Sequence, residues 1–189
     1  MINRILTTSA LAVAVSLASV AVDQALPSAG LIAHASAQSD GAKKQERETR
    51  RTPALRNKVY EKLAEAQTAA EAKDYTTAQG VLDAMIADQG KNALNSYELA
   101  NVYNLYAFLR YSAEDYNGAL NYYNKVIAQP DIPLAMEINT RFTVAQLYFV
   151  QEKWQSGIDA LLTWFDMTDK PNANAYVLLS QGYYQTKQY

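Results

Sequence analysis

From residue 54 onward, apolar side chains recur three and four positions apart, beginning with Leu55, Val59, Leu63, Ala66 and Ala70. Such spacing lines one face of an α-helix. The pattern runs to the end of the sequence with three short polar breaks. These are Gln89-Gly90-Lys91-Asn92, Gln129-Pro130-Asp131-Ile132-Pro133 and Asp169-Lys170-Pro171-Asn172. Each contains a Gly or Pro that interrupts a helix. Asn95, with Glu98 three residues on, predicts a capping box at the start of the helix after the first break. No segment alternates as a strand would, so the predicted fold class is all-α.

Inside this pattern a second signature repeats. Lys73-Asp74-Tyr75, Glu114-Asp115-Tyr116 and Glu152-Lys153-Trp154 each separate two amphipathic stretches, and Lys187-Gln188-Tyr189 is a fourth copy. The corner aromatics Tyr75, Tyr116, Trp154 and Tyr189 stand 41, 38 and 35 residues apart. A period in this range predicts a solenoid of helix pairs. Three residues after a corner comes a small residue, Ala78, Ala119 or Gly157; nine residues before it comes Ala66, Ala107, Ala145 or Ser180. Small side chains at recurring positions allow the two helices of a pair to cross closely. Leu82, Tyr123 and Leu161, then Met85, Val126 and Trp164, are the expected core.

These residues resemble the tetratricopeptide repeat (TPR) family. Tyr176-x-x-Leu179-Ser180-x-x-Tyr183 is similar to its first helix and Tyr116-x-x-Ala119-x-x-x-Tyr123 to its second. The resemblance covers residues 59–189 and implies a helix-pair solenoid wound into a right-handed superhelix. The period is longer than the family's usual ~34 residues, and the extra residues are expected in the breaks. About three and a half repeats are expected over residues 54–189, truncated in the fourth. Lys62 and Glu65 stand where large apolar residues are usual, which suits a solvent-facing terminal cap.

The N-terminal third has another character. A short basic start precedes a largely apolar, small-residue stretch over residues 5–22, and Ala35-Ser36-Ala37 fits a signal-peptidase site. Residues 1–37 are expected to be a secretory signal peptide, with cleavage leaving no stable membrane anchor. Ala33-His34-Ala35 is an alternative site, and an uncleaved anchor is the rival reading. Residues 38–53 carry Lys43, Lys44, Arg47, Arg50 and Arg51 against Glu46 and Glu48. They lack apolar periodicity and are expected to be a disordered basic linker. The implied localisation is the periplasm.

Composition narrows the chemistry. The chain has no Cys and a single His, His34, which lies in the expected signal segment. The mature protein would therefore lack His-based acid–base chemistry, Cys nucleophiles and ordinary zinc sites. No enzyme activity, cofactor or metal is expected. The formal net charge is −2 and the helical part has no basic stripe, so no nucleic-acid partner is expected.

The TPR resemblance implies that the first helix of each pair lines a concave groove. The positions so implied include Asn101, Asn104, Phe108 and Tyr111, then Asn139, Phe142, Gln146 and Phe149, then Asn174 and Gln181. Tyr60, Leu63, Gln67, Val177 and Tyr184 complete the rows. Asn101, Asn139 and Asn174 are equivalent, as are Gln67, Gln146 and Gln181. Amide side chains offer both a donor and an acceptor, which suits the backbone of an extended peptide. The aromatics would supply apolar pockets, or else inter-repeat core. The expected partner is a peptide-like segment of another protein. No Lys or Arg falls in these positions, which argues against a clamp for a C-terminal carboxylate. Tyr97, Tyr103, Tyr106, Tyr111, Tyr116, Tyr122 and Tyr123 crowd one repeat and are expected to be packing.

A narrower resemblance rests on Arg50-Arg51-Thr52-Pro53-Ala54, Tyr103-Asn104-x-x-Ala107-Phe108 and residues 145–152. These are similar to periplasmic repeat proteins encoded beside TonB systems in marine gammaproteobacteria. That resemblance implies an accessory of energised uptake across the outer membrane. A cell-envelope or peptidoglycan assembly factor, and a docking arm for a catalytic part beyond residue 189, are the alternatives. Self-association through an exposed face of Tyr176, Leu179 and Tyr183 is a further expectation.

Overall fold

A computed structural model describes residues 53–188. The expected signal peptide, almost all of the expected linker, and the fourth corner aromatic Tyr189 lie outside the described residues. The described residues form seven α-helices and no strand. They are α1 (Asn57–Glu71), α2 (Tyr75–Ala87), α3 (Ser96–Ser112), α4 (Tyr116–Ile127), α5 (Leu134–Val150), α6 (Trp154–Met167) and α7 (Ala173–Thr186), with a single 3₁₀ turn at Gly90–Asn92. The all-α class is therefore observed, and the three predicted polar breaks fall between α2 and α3, α4 and α5, and α6 and α7.

The helix starts follow from side-chain chemistry. Asp74 caps α2 by accepting from the Thr77 N–H, and Asp115 caps α4 by accepting from the Gly118 N–H. Asn172 caps α7 through the Ala175 N–H at 2.9 Å. Asn95 and Glu98 form the predicted capping box on α3. Each cap satisfies one of the backbone donors that the first turn leaves without an intrahelical acceptor. Lys153 starts α6 with no side-chain cap.

The helix ends repeat one geometry. Lys73, Glu114, Glu152 and Lys187 adopt left-handed φ values of 62°, 59°, 56° and 56°. The next N–H then reaches back five residues: Asp74 to Ala69, Asp115 to Arg110, Lys153 to Tyr148 and Gln188 to Tyr183, each at 2.9 Å. The left-handed residue itself donates to Ala70, Tyr111, Phe149 or Tyr184. This pair of bonds is the Schellman closure, which satisfies carbonyls at the end of a helix and turns the chain back. One backbone device thus closes α1, α3, α5 and α7.

Packing is between neighbours in sequence. α1 packs on α2, α3 on α4 and α5 on α6; α2–α3, α4–α5 and α6–α7 also touch, as do α1–α3 and α5–α7. Ala66, Ala107 and Ala145 are completely buried, and so are Ala78 and Ala119. Gly157 is buried against the Phe149 ring, which stands 3.0 Å from where a Cβ would lie. Leu82, Tyr123 and Leu161, with Met85, Val126 and Trp164, are buried as their spacing predicts. Lys62 and Glu65 are exposed and pair with each other at 2.6 Å on the outer face of α1. No helix among the described residues is long and apolar enough to cross a membrane.

Candidate functional site

The predicted groove positions divide by row. Asn101, Asn139 and Asn174 lie fifteen residues before successive corner aromatics, near the starts of α3, α5 and α7. Asn139 and Asn174 are exposed and Asn101 is half-buried. The Asn101 amide donates to the Tyr97 carbonyl one turn earlier at 2.7 Å, which fixes its rotamer. Asn104, Gln146 and Gln181 are half-buried. Gln67, equivalent to Gln146 and Gln181, donates to Glu71 along α1 at 2.9 Å. The amides therefore stay at or near the surface.

The aromatics behave differently. Tyr111 and Phe149 each stand five residues before a corner aromatic, and each meets it: Tyr111 lies 5.8 Å from Tyr116 and Phe149 lies 6.2 Å from Trp154 between ring centroids. Phe149 is buried among Ala145, Ile158, Leu161 and Leu178. Phe142 rests on Trp164 at 4.7 Å, and Phe108 packs on the core shared by α1, α2 and α3. These four rings join helices together. The reason is geometric: a residue one turn before the cap faces the helix that the cap folds back. Burial pushes the Tyr111 phenol above its ordinary pKa, with Tyr116 adding to the effect.

The crowded tyrosines also knit the fold. Tyr106 stacks on Tyr122 at 4.7 Å and 8°, Tyr103 lies 6.2 Å from Tyr122, and Lys125 sits 4.6 Å above the Tyr122 ring. Stacking and cation–π contacts of this kind stabilise by about 0.5–1.5 kcal/mol each. Tyr106 donates its hydroxyl to the Asp83 carboxylate on α2. Burial raises its pKa strongly, and Asp83 raises it further by accepting that proton and by its charge. Burial pushes Tyr123 up to about 12, with Tyr111 contributing. Both shifts favour the neutral phenol, and Tyr106 is held as a donor to Asp83. Among the described residues no group of three His, Cys, Asp or Glu side chains is placed to hold a metal.

Two features were not visible from spacing. Arg56, just before α1, reaches the buried carboxylate of Glu98 on α3. A depression of about 470 Å³ lies on α7, lined by Tyr176, Leu179, Ser180, Tyr183, Tyr184 and Gln188. Of the groove positions only Tyr184 lines it; Asn174 and Gln181, on the same helix, do not. Tyr176, Leu179 and Tyr183, expected as an exposed face, do line it. No protein-family model, curated protein or solved structure matches this chain.

Proposed function

We propose that the protein is a periplasmic interaction scaffold built from TPR-like helix pairs. Its partner is an extended, peptide-like segment of another protein, held by the amide rows Asn101–Asn139–Asn174 and Asn104–Gln146–Gln181. The observation that supports this reading best is the fourfold Schellman corner at spacings of 41, 38 and 35 residues. It sets the ends of successive first helices in register, and Asn101, Asn139 and Asn174 each stand fifteen residues before a corner aromatic. Amides in register can satisfy a peptide backbone without reading its side chains. Because Tyr111, Phe142 and Phe149 bind helix to helix, recognition rests on polar contacts and is correspondingly broad. Service to a TonB-linked uptake system is the pathway that the sequence similarity suggests. The absence of Cys and of any His after residue 34 argues for binding rather than catalysis.

The test is a photo-crosslinking residue at the exposed position Asn139 in cells, repeated with Asn101→Ala and Asn174→Ala. A product lost in the double variant, while its helical circular dichroism is unchanged, supports the amide rows as the binding surface. A product indifferent to both substitutions overturns it.

A further inference from the structure

Asn117 and Gly118 form the only Asn-Gly pair in the chain. They are the second and third residues of α4, directly after the Asp115 cap and Tyr116. The Gly118 N–H is one of the first-turn donors that no intrahelical carbonyl reaches. It donates instead to Asp115 Oδ1 at 2.8 Å. A Cβ on Gly118 would stand 2.1 Å from the other carboxylate oxygen, Oδ2, so the carboxylate fills the space that glycine leaves open. Asn117 is exposed, and its Oδ1 accepts from Lys153 Nζ at 3.0 Å. Lys153 stands at the start of α6, so this contact ties the start of α4 to the start of α6.

The side-chain amide of an asparagine is an electrophile toward the backbone nitrogen that follows it. Attack requires that nitrogen to give up its proton and to swing onto Cγ. Both steps are opposed here while α4 is closed. The Asp115 carboxylate holds the Gly118 proton and disfavours a second negative charge beside it. Helical dihedrals keep the Gly118 nitrogen away from the Asn117 side chain. Both obstacles vanish when the first turn opens, and an exposed helix end opens at little cost. Gly118, without a Cβ, then rotates freely into the angle that attack needs.

We infer that Asn117 is a self-modification site, where water converts the side-chain amide to a carboxylate, and that the Asp115 cap sets the rate. The Gly118 nitrogen bonds to Asn117 Cγ and the Cγ–Nδ2 bond breaks. The proton given up by Gly118 leaves with the departing amino group as ammonia. Water then opens the cyclic imide and returns a proton to the Gly118 nitrogen. Cleavage at Cγ gives aspartate; cleavage at the main-chain carbonyl gives isoaspartate, with the backbone routed through the side chain. No electrons are exchanged. An aspartate at position 117 places negative charge in the first turn of α4, where the helix dipole favours it, and turns the Lys153 hydrogen bond into an ion pair. An isoaspartate lengthens the backbone and breaks that turn. With age the link between the second and third helix pairs is thus either tightened or broken. This chemistry does not depend on the amide rows, so the two readings fail independently.

Peptide mapping by mass spectrometry of the 189-residue protein, aged at neutral pH, reads the conversion at each asparagine. Conversion at Asn117 is expected to lead that at every other asparagine, yet to run well below its rate in the urea-unfolded chain. Asp115→Ala is expected to speed it at least about fivefold, an energy near 1 kcal/mol. Asp74→Ala removes the equivalent cap from α2, whose first turn holds no asparagine, and is expected to leave the rate at Asn117 unchanged. Conversion in the folded parent as fast as in urea overturns the proposal, whatever the variants do. So does a rate in Asp115→Ala equal to the parent's, or no conversion at Asn117 in either protein. Equal acceleration by Asp74→Ala assigns the rate to loosening of the whole chain and overturns it as well.

Discussion

Arg56 and Glu98, 42 residues apart, form a two-pronged ion pair: Nε lies 2.8 Å from Oε1 and Nη2 lies 2.7 Å from Oε2. The Arg56 backbone N–H also donates to Oε1 at 3.1 Å, and the Asn95 N–H donates to Oε2 at 3.0 Å. The same guanidinium reaches the carbonyls of Lys91, Asn92 and Ala93. The Glu98 carboxylate therefore joins the starts of α1 and α3, and the Arg56 guanidinium it holds pins the loop between α2 and α3. Glu98 is fully buried while Arg56 remains half in solvent. Burial by itself pushes the Glu98 carboxyl up. The hydrogen bonds from Arg56 and Asn95 outweigh it and hold the group below the ordinary value of 4.5.

The sign of the pH effect follows. A carboxyl with a folded pKa below its unfolded one adds stability that is present above the unfolded value. That stability is lost as pH falls through the folded value. Glu98→Gln keeps the shape and removes the charge, and is expected to destabilise by about 2 kcal/mol at neutral pH. Urea unfolding of both proteins from about pH 7 to about pH 3 should show the difference shrinking below roughly pH 4.5. A difference that stays constant across that range would mean that the charge contributes nothing.

How much of this could be read from the sequence depends on how local the cause is. The helices, their breaks and the Asn95–Glu98 box follow from contacts a few residues apart, and spacing displays such contacts. The small residues Ala66, Ala78, Ala107, Ala119 and Ala145 repeat, so their burial was legible too, whereas the corner aromatics Tyr75, Tyr116 and Trp154 are half-buried. Arg56 was not, because its partner is 42 residues away and nothing periodic marks it. The roles of Tyr111 and Phe149 were hidden for another reason. Both lie on the first-helix face that a groove would share, and only the angle of the returning helix turns them inward onto Tyr116 and Trp154. The amide rows stayed at the surface because polar side chains have no apolar seam to fill.

The corners carry strain that can be relieved. Glu114 and Glu152 hold left-handed φ values that cost a residue with a Cβ about 1 kcal/mol. Glycine adopts this conformation freely but loses more entropy on folding. Glu114→Gly and Glu152→Gly are each expected to raise stability by about 0.5 kcal/mol, measured as a shift in urea midpoint at unchanged slope. Glu114→Val, branched at Cβ, is expected to lower it. If Val and Gly behave alike, the turn is not left-handed.

Two glycines should respond in opposite directions. A Cβ on Gly182 would lie 2.7 Å from Ile158 Cγ1 and 2.9 Å from Phe149 Cε1. Gly182→Ala therefore forces α7 away from α5 and α6, at a cost of about 1–3 kcal/mol. Gly80 lies exposed inside α2, and nothing stands within 4 Å of its missing Cβ. Gly80→Ala is expected to stabilise by up to about 1 kcal/mol through helix propensity alone. Thermal unfolding of the pair, followed by circular dichroism, checks both signs in one experiment.

Trp164 supplies bulk to the core at the expense of a polar atom. Its ring lies against Phe142 at 4.7 Å and Phe165 at 5.3 Å, and its indole N–H is buried without a hydrogen-bond partner. A buried donor left unsatisfied costs about 1–3 kcal/mol, while the lost ring volume of a Phe leaves a small cavity with a cost of similar size. The two terms oppose each other, so Trp164→Phe is expected to change stability by less than about 1 kcal/mol, whereas Trp164→Ala should lose about 3–5 kcal/mol. Urea titration of the two variants separates packing from polarity. A loss in the Phe variant near that of Ala would mean that the indole N–H is bonded in solution, through a water or a shifted neighbour, and that this bond holds α6 against α5.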